Sequence, residues 1–151
     1  MRRLASILFL LALTSAYGAA KDEPIEVLKS RFETARIEDR PVLGIQIAQH
    51  QLRNADKLYI DGKTIEARQA VDEIVTYSEH ARDAATQSQK HLKNVEIDVR
   101  KIAERLRDIR RTLAFEDQAP VEQAIRRLED IRTALLKEMF GKDDKHKTEK
   151  K

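Results

Sequence analysis

The 151-residue sequence contains no cysteine and no tryptophan, and it has only four glycines and three prolines. Without cysteine the chain can form neither a disulfide nor a lipoprotein anchor, so packing must hold the fold together. The glycines after Gly18 are isolated, at Gly44, Gly62 and Gly141, which excludes a phosphate-cradling loop. A cysteine nucleophile and a Gly-x-Ser-x-Gly turn are also missing. We therefore expect no enzyme activity, no catalytic residues and no cofactor.

The four histidines do not form a metal-binding pattern. His80 and His91 lie about three helical turns apart, which is too far to share a metal ion. A di-iron bundle places a glutamate three residues before each histidine. The residues at that spacing before His50, His80 and His91 are Ile47, Tyr77 and Ser88. We expect solvated surface histidines and no metal.

The first 20 residues have the layout of a secretory signal peptide. Arg2 and Arg3 precede an apolar run at residues 7–13, and small residues follow up to Ala20. We predict cleavage after Ala20, with Gly18 as the second choice, and a periplasmic or extracellular mature protein. The alternative is an uncleaved membrane anchor, but the run is shorter than the roughly 20 residues that span a bilayer.

The global charge gives no indication of a polyanion partner. The chain has 29 basic and 26 acidic residues, and the excess lies in the predicted signal peptide and in residues 142–151. We therefore expect no nucleic-acid binding. One local excess of basic residues is a candidate patch for anionic lipid or wall polymer, which makes a membrane surface possible but not favoured. The alternative, which we favour, is a solvated, salt-bridged helix face. The patch comprises Arg100, Lys101, Arg105, Arg107, Arg110 and Arg111.

A seven-residue apolar repeat runs through the stretch between Gly62 and Pro120, which contains no glycine or proline. This pattern is typical of a helix that packs lengthwise on others. It predicts an all-α, elongated bundle or coiled coil with one long central helix over about 64–115, and a kink near residues 87–94 is the main alternative. The repeat positions are Ala67, Val71, Ile74, Ser78, Ala81, Ala85, Ser88, Leu92, Val95, Val99, Ile102, Leu106, Ile109 and Leu113.

Three shorter helices are predicted to fold back on the long one. The first follows Pro24 and ends near Glu38, because Pro41 disfavours helical geometry at the residue before it. The second ends at Asp61-Gly62, and the fourth begins near Asp117 and ends at Gly141. Residues 21–141 are then one helical domain, and residues 142–151, which include no apolar side chain, are expected to be disordered.

The middle of the long helix carries only small residues on its repeat. The shorter helices do not reach this segment, so it is left bare, approached tightly by another helix, or broken. We predict that it is a seam for a protein partner or for self-association. Its residues are Ser78, Ala81, Ala84, Ala85 and Ser88.

Residues 55–71 resemble one helical hairpin of the tetratricopeptide class. The matching positions are Ala55, Leu58, Tyr59, Gly62, Ala67 and Val71. A whole hairpin of about 34 residues would cover about a quarter of the chain, and no second copy follows at that spacing. Gln51 stands where the family has a large residue. The hairpin, the long helix and the ending Ala-Leu-Leu-Lys-Glu-Met-Phe-Gly-Lys are also similar to a group of uncharacterised exported bacterial helical proteins.

These features favour an exported, non-catalytic protein that acts by protein–protein interaction. A periplasmic holdase chaperone is the first alternative, since known extracytoplasmic chaperones are also small and have long charged helices. The chain lacks the repeats of the cradle type and the β-rich body of the tentacle type. An envelope spacer that binds lipid or wall polymer through the basic patch is the second alternative.

Overall fold

The computed structural model describes residues 23–141, and 87% of that range is helical. The five helices are α1 (Ile25–Thr34), α2 (Arg40–Ile60), α3 (Thr64–Ser88), α4 (Leu92–Thr112) and α5 (Phe115–Phe140). No strand occurs between residues 23 and 141, so the predicted all-α bundle is confirmed. None of the helices described here is long and apolar enough to cross a membrane. The predicted signal peptide and the predicted tail lie outside the described residues.

The prediction of one long central helix is wrong. The chain leaves the helix after Ser88 and re-enters it at Leu92, within the region 87–94 that was predicted as a possible kink. Gln89 and His91 both adopt left-handed backbone geometry, with φ of 55° and 64°. This geometry costs a residue with a side chain about 1–2 kcal/mol. Because each buried aliphatic side chain contributes about 1.5–3 kcal/mol, the packing of α4 and α5 beside α2 and α3 offsets that cost.

Helices α2 to α5 form two antiparallel hairpins that lie side by side in the same direction. Contacts between the hairpins join residues at a nearly constant separation. The separation along the sequence is 49 residues for Arg105–Asp56, Arg68–Asp117 and Gln89–Glu138, and 48 residues for Arg127–Glu79. A constant separation along two helices means that they run parallel. Thus α4 lies along α2, and α5 lies along α3.

The core lies between the two hairpins, and the predicted repeat supplies nine of its 21 buried residues. No repeat position is fully exposed; Ser88, Leu92 and Leu113 are partly buried beside the break and at the end of α4. Each buried position of α5 has a buried counterpart in α3 at one constant spacing, as for Val71 and Val121. The sequence therefore predicted the buried face correctly. The buried face is divided between two hairpins that cover each other.

Helix α1 packs on the outside of the first hairpin around a smaller core. Leu28 and Phe32 of α1 are buried against Leu43 and Ile47 of α2. The Phe32 ring meets Tyr77 of α3 edge-on at 5.5 Å, and Lys29 forms an ion pair with Glu73 at 2.8 Å. Helix α1 therefore lies against both α2 and α3, and it borders the outer face of α2.

Candidate functional site

The predicted partner seam lies inside the first hairpin. Ser78, Ala81 and Ala85 have no exposed surface, and Ala84 is 3% exposed; Ser88 is partly exposed. Gly44 of α2 approaches so closely that a Cβ there would lie 2.9 Å from the Tyr77 carbonyl oxygen and 3.1 Å from Ala81 Cβ. The small side chains do allow close helix approach, but the approaching helix is α2 of the same chain. In the structure these residues are therefore covered by the chain's own helices and are not an open surface.

The predicted basic patch is a set of ion-paired side chains that point to three different helices. Arg105 pairs with Asp56 of α2 at 2.7 Å. Arg107 and Arg110 pair with Glu129 and Glu122 of α5. The other three pair within α4, as Arg100–Glu104, Lys101–Asp98 and Arg111–Asp108. All six cations thus have an acidic partner, which is the arrangement of a salt-bridged face.

Four of the charged residues between α4 and α5 form a linked network. Glu129 accepts hydrogen bonds from Arg107 at 2.5 Å and from Arg132 at 2.9 Å, and Arg132 also donates to Glu96 at 2.9 Å. Partial burial alone would raise the pKa of Glu129, but the two guanidinium donors outweigh it, so the pKa lies below the usual carboxyl value. The ionised form of Glu129 therefore stabilises the second hairpin.

This network predicts a loss of stability in acid. A carboxyl group whose pKa is lowered by folding contributes stability above its unfolded pKa, which is lost as the pH falls through the folded pKa. We expect Glu129→Gln to make the free energy of unfolding less dependent on pH below about pH 4.5. Urea titrations between pH 7 and pH 3 measure this, with Glu116→Gln, an exposed residue, as the matched control. Identical pH slopes for the Glu129→Gln variant and the wild type would contradict the assignment.

A groove lies on the outer face of α2. It consists of three adjoining hollows of about 450, 500 and 240 Å³. The first lies between α2 and α4, and the other two lie between α2 and α1. Gln46 lines all three, and His91 and Val42 line two of them. We call this surface the α2 groove. Its floor is the outer face of α2 around Gln46, and α1 and α4 are its walls.

The uncharged polar side chains of the α2 groove include four without partners. These four are Gln46, Gln49, His91 and Asn94. None of their side chains makes a hydrogen bond or ion pair within residues 23–141. Exposed uncharged side chains elsewhere in that range, such as Gln69 and Gln123, also make no such bond, whereas the charged side chains are extensively paired, as the basic cluster shows. The groove therefore presents unused donors and acceptors.

The charged side chains of the α2 groove are already paired. Glu23 pairs with Arg31 at 2.6 Å, Asp39 with Arg36 at 3.3 Å, and Asp98 with Lys101 at 4.0 Å. Arg53 is engaged as well. Between these pairs lie the aliphatic side chains of Val42, Ile45 and Ile97, of which Val42 is 44% exposed. The groove is thus electrically balanced, with a small apolar area on its floor.

The sequence analysis missed the α2 groove because it depends on the break at residues 89–91. Only when the chain turns there does α4 come to lie beside α2 and form the second wall. A usable signal was present in α2, where Val42, Gln46 and Gln49 follow one another at helical spacing as an uncharged surface stripe. Such a stripe is unusual in a chain of which 36% is charged.

The fold and this surface define an all-α protein of two parallel-stacked helical hairpins, flanked by a short helix, with an open polar groove. Within residues 23–141 no three histidine, aspartate or glutamate side chains are grouped so that they could hold a metal ion. Comparisons with protein-family models, curated proteins and solved structures found no match for this chain.

Proposed function

We propose that this chain is an exported, non-catalytic helical protein that acts by binding another protein in the α2 groove. The observation that carries the proposal is the group of uncharged polar side chains around Gln46, which converge on one groove whose charged rim is ion-paired. Unpaired donors and acceptors that converge on one concave surface are typical of a binding site. The layout of residues 1–20 supports export of the protein.

The stacked hairpins also favour this function. Helical-repeat proteins stack helix pairs in the same direction and thereby form extended concave binding surfaces. The α2–α3 hairpin, with its turn at Gly62, carries the positions that resemble a tetratricopeptide hairpin. Since α4–α5 stacks on it in parallel, the first helices of the two pairs lie side by side. They form the floor and one wall of the α2 groove.

A holdase chaperone is the second candidate, and a different surface favours it. Ile60, Ile65 and Phe115 are 79%, 71% and 87% exposed. They lie at helix ends on one end of the bundle, where the Arg68–Asp117 ion pair of 2.8 Å joins α3 to α5. Exposed apolar side chains at one end suit loose contact with unfolded chains. An envelope spacer is less favoured, because all six predicted anion-binding cations have acidic partners.

Site-specific photo-crosslinking in the native cell tests the proposal. A benzophenone amino acid at Val42 or Gln49, inside the groove, should yield one discrete cross-linked protein. The same probe at Gln69 or Thr133, on exposed surface outside the groove, is the matched control. Cross-linking to a broad set of proteins at every position would support the holdase instead. Absence of a discrete product from the groove positions would contradict the proposal.

Export has its own test. The mature protein recovered from the cell envelope should begin at Lys21, or at Ala19 if the second cleavage site is used. An intact Met1 in the membrane fraction would show that the segment is an anchor.

A further inference from the structure

We infer that the occupant of the α2 groove is an extended, uncharged peptide segment, bound mainly through its backbone. The inference rests on the proposed function and specifies the chemistry of the partner. It depends on the types of side chain in the groove, on the charge balance of its rim and on its length.

The side-chain chemistry selects an extended backbone. The amides of Gln46, Gln49 and Asn94 each carry both a donor and an acceptor, and such a group can pair with the N–H and the C=O of one peptide unit. An extended segment exposes these groups along its length, whereas a helix uses them internally. His91, on the α4 side of Gln46, adds a further polar group. A partner helix could pair with these side chains only through its own side chains, since its backbone groups are used internally.

The charge balance of the rim selects an uncharged segment. Around the groove, each acidic side chain is neutralised by a basic one, in the pairs Glu23–Arg31, Asp39–Arg36 and Asp98–Lys101. A charged peptide would have to compete with these pairs, and it would find no free countercharge among them. Complementarity of charge therefore favours a neutral occupant, whose binding depends little on ionic strength.

The dimensions of the groove fit a short segment. The floor of the groove is marked by Val42, Gln46, Gln49 and Arg53. The rise along α2 from Val42 to Arg53 is about 16 Å at 1.5 Å per residue. An extended chain covers that distance with about five residues at 3.3 Å each. The exposed side of Val42, with Ile45 and Ile97 beside it, gives one aliphatic side chain of the segment an apolar contact.

Selection from a displayed library of random seven-residue peptides, followed by binding measurements, tests the inference. The probes are the selected peptides, resynthesised with blocked ends, and analogues in which alternate backbone nitrogens are methylated. Methylation keeps every side chain but removes backbone donors. We expect uncharged sequences, and a loss of affinity of about tenfold or more on methylation, from the loss of several hydrogen bonds. Affinity should change less than about twofold between 50 and 500 mM salt.

Variants of the protein assign the binding to the groove. We expect Gln46→Ala and Asn94→Ala each to lower the affinity for the peptide about 3- to 10-fold, as expected for the loss of one hydrogen-bonding side chain. Gln69→Ala, an exposed glutamine of α3 outside the groove, is the matched control and should leave the affinity unchanged. All three sites are exposed, and circular dichroism verifies that the helical content is the same.

The outcomes separate the two proposals. Three results would overturn the extended-backbone inference for peptides that depend on Gln46. These are insensitivity of the affinity to methylation, helical periodicity in the selected sequences, and a steep loss of affinity with salt. The proposed function would then stand. Failure to select any groove-dependent peptide also overturns the inference, and the cross-linking at Val42 then decides separately whether the groove binds a protein.

Discussion

Replacing Ala81 by glutamine is expected to lower the free energy of unfolding by about 2–5 kcal/mol. Ala81 has no exposed surface, and a Cβ added at Gly44 of α2 would lie only 3.1 Å from its Cβ. A longer side chain must push the helices apart, which costs about 1–3 kcal/mol. The buried amide also lacks a partner there, which costs a similar amount. Denaturant titration of the variant and the wild type measures the difference.

Thr76→Gln, on the exposed face of the same helix, is the matched control for Ala81→Gln. It adds the same amide to α3 but meets no other helix, so the change should be within about 0.5 kcal/mol. Equal effects at the two sites would contradict the close contact of α2 and α3. An Ala81→Gln variant with unchanged stability but altered oligomeric state would restore the seam as a partner surface.

Leu106→Ala is expected to destabilise the protein by about 2–5 kcal/mol. Leu106 is fully buried in the main core between the hairpins. Truncation removes its apolar contacts and leaves a cavity that the surrounding helices fill only in part. The measurement is again the free energy of unfolding in urea, with circular dichroism as the probe of helix content.

The neighbouring residue provides the comparison for Leu106. Arg105 is exposed and pairs with Asp56 across 2.7 Å, and exposed ion pairs contribute about 0–1 kcal/mol. Arg105→Ala should therefore cost less than about 1 kcal/mol. A larger loss for Arg105→Ala than for Leu106→Ala would show that α4 is rotated relative to the structure described here.

The sequence determined that the chain is helical and which face of its helices is buried. Apolar side chains at helical spacing must leave water whichever partner covers them, so residues such as Val71, Val99 and Leu106 could be identified from local pattern alone. The turn at Gly62 was also predictable, because glycine takes a positive φ, here 72°, at little cost. A break between the first two helices was also predicted, but α1 ends at Thr34 rather than near Glu38. Arg40 is already helical, and Pro41 lies in the first turn of α2, where a proline is tolerated.

Tertiary structure alone decided which helix covers which, and therefore where the open surface lies. A heptad repeat looks the same in one long helix and in two helices joined by a short turn, so the repeat does not reveal the break. Helices usually end at glycine or asparagine, and neither Gln89 nor His91 is one of these. The burial gained by stacking the hairpins offsets the left-handed geometry at these two residues. The same stacking pairs Arg105 with Asp56, whereas the pairing of α2 with α3 inside the first hairpin covers Ala81. The stacking also places α4 beside Gln46 to form the groove, and residues this far apart along the chain meet only in the folded protein.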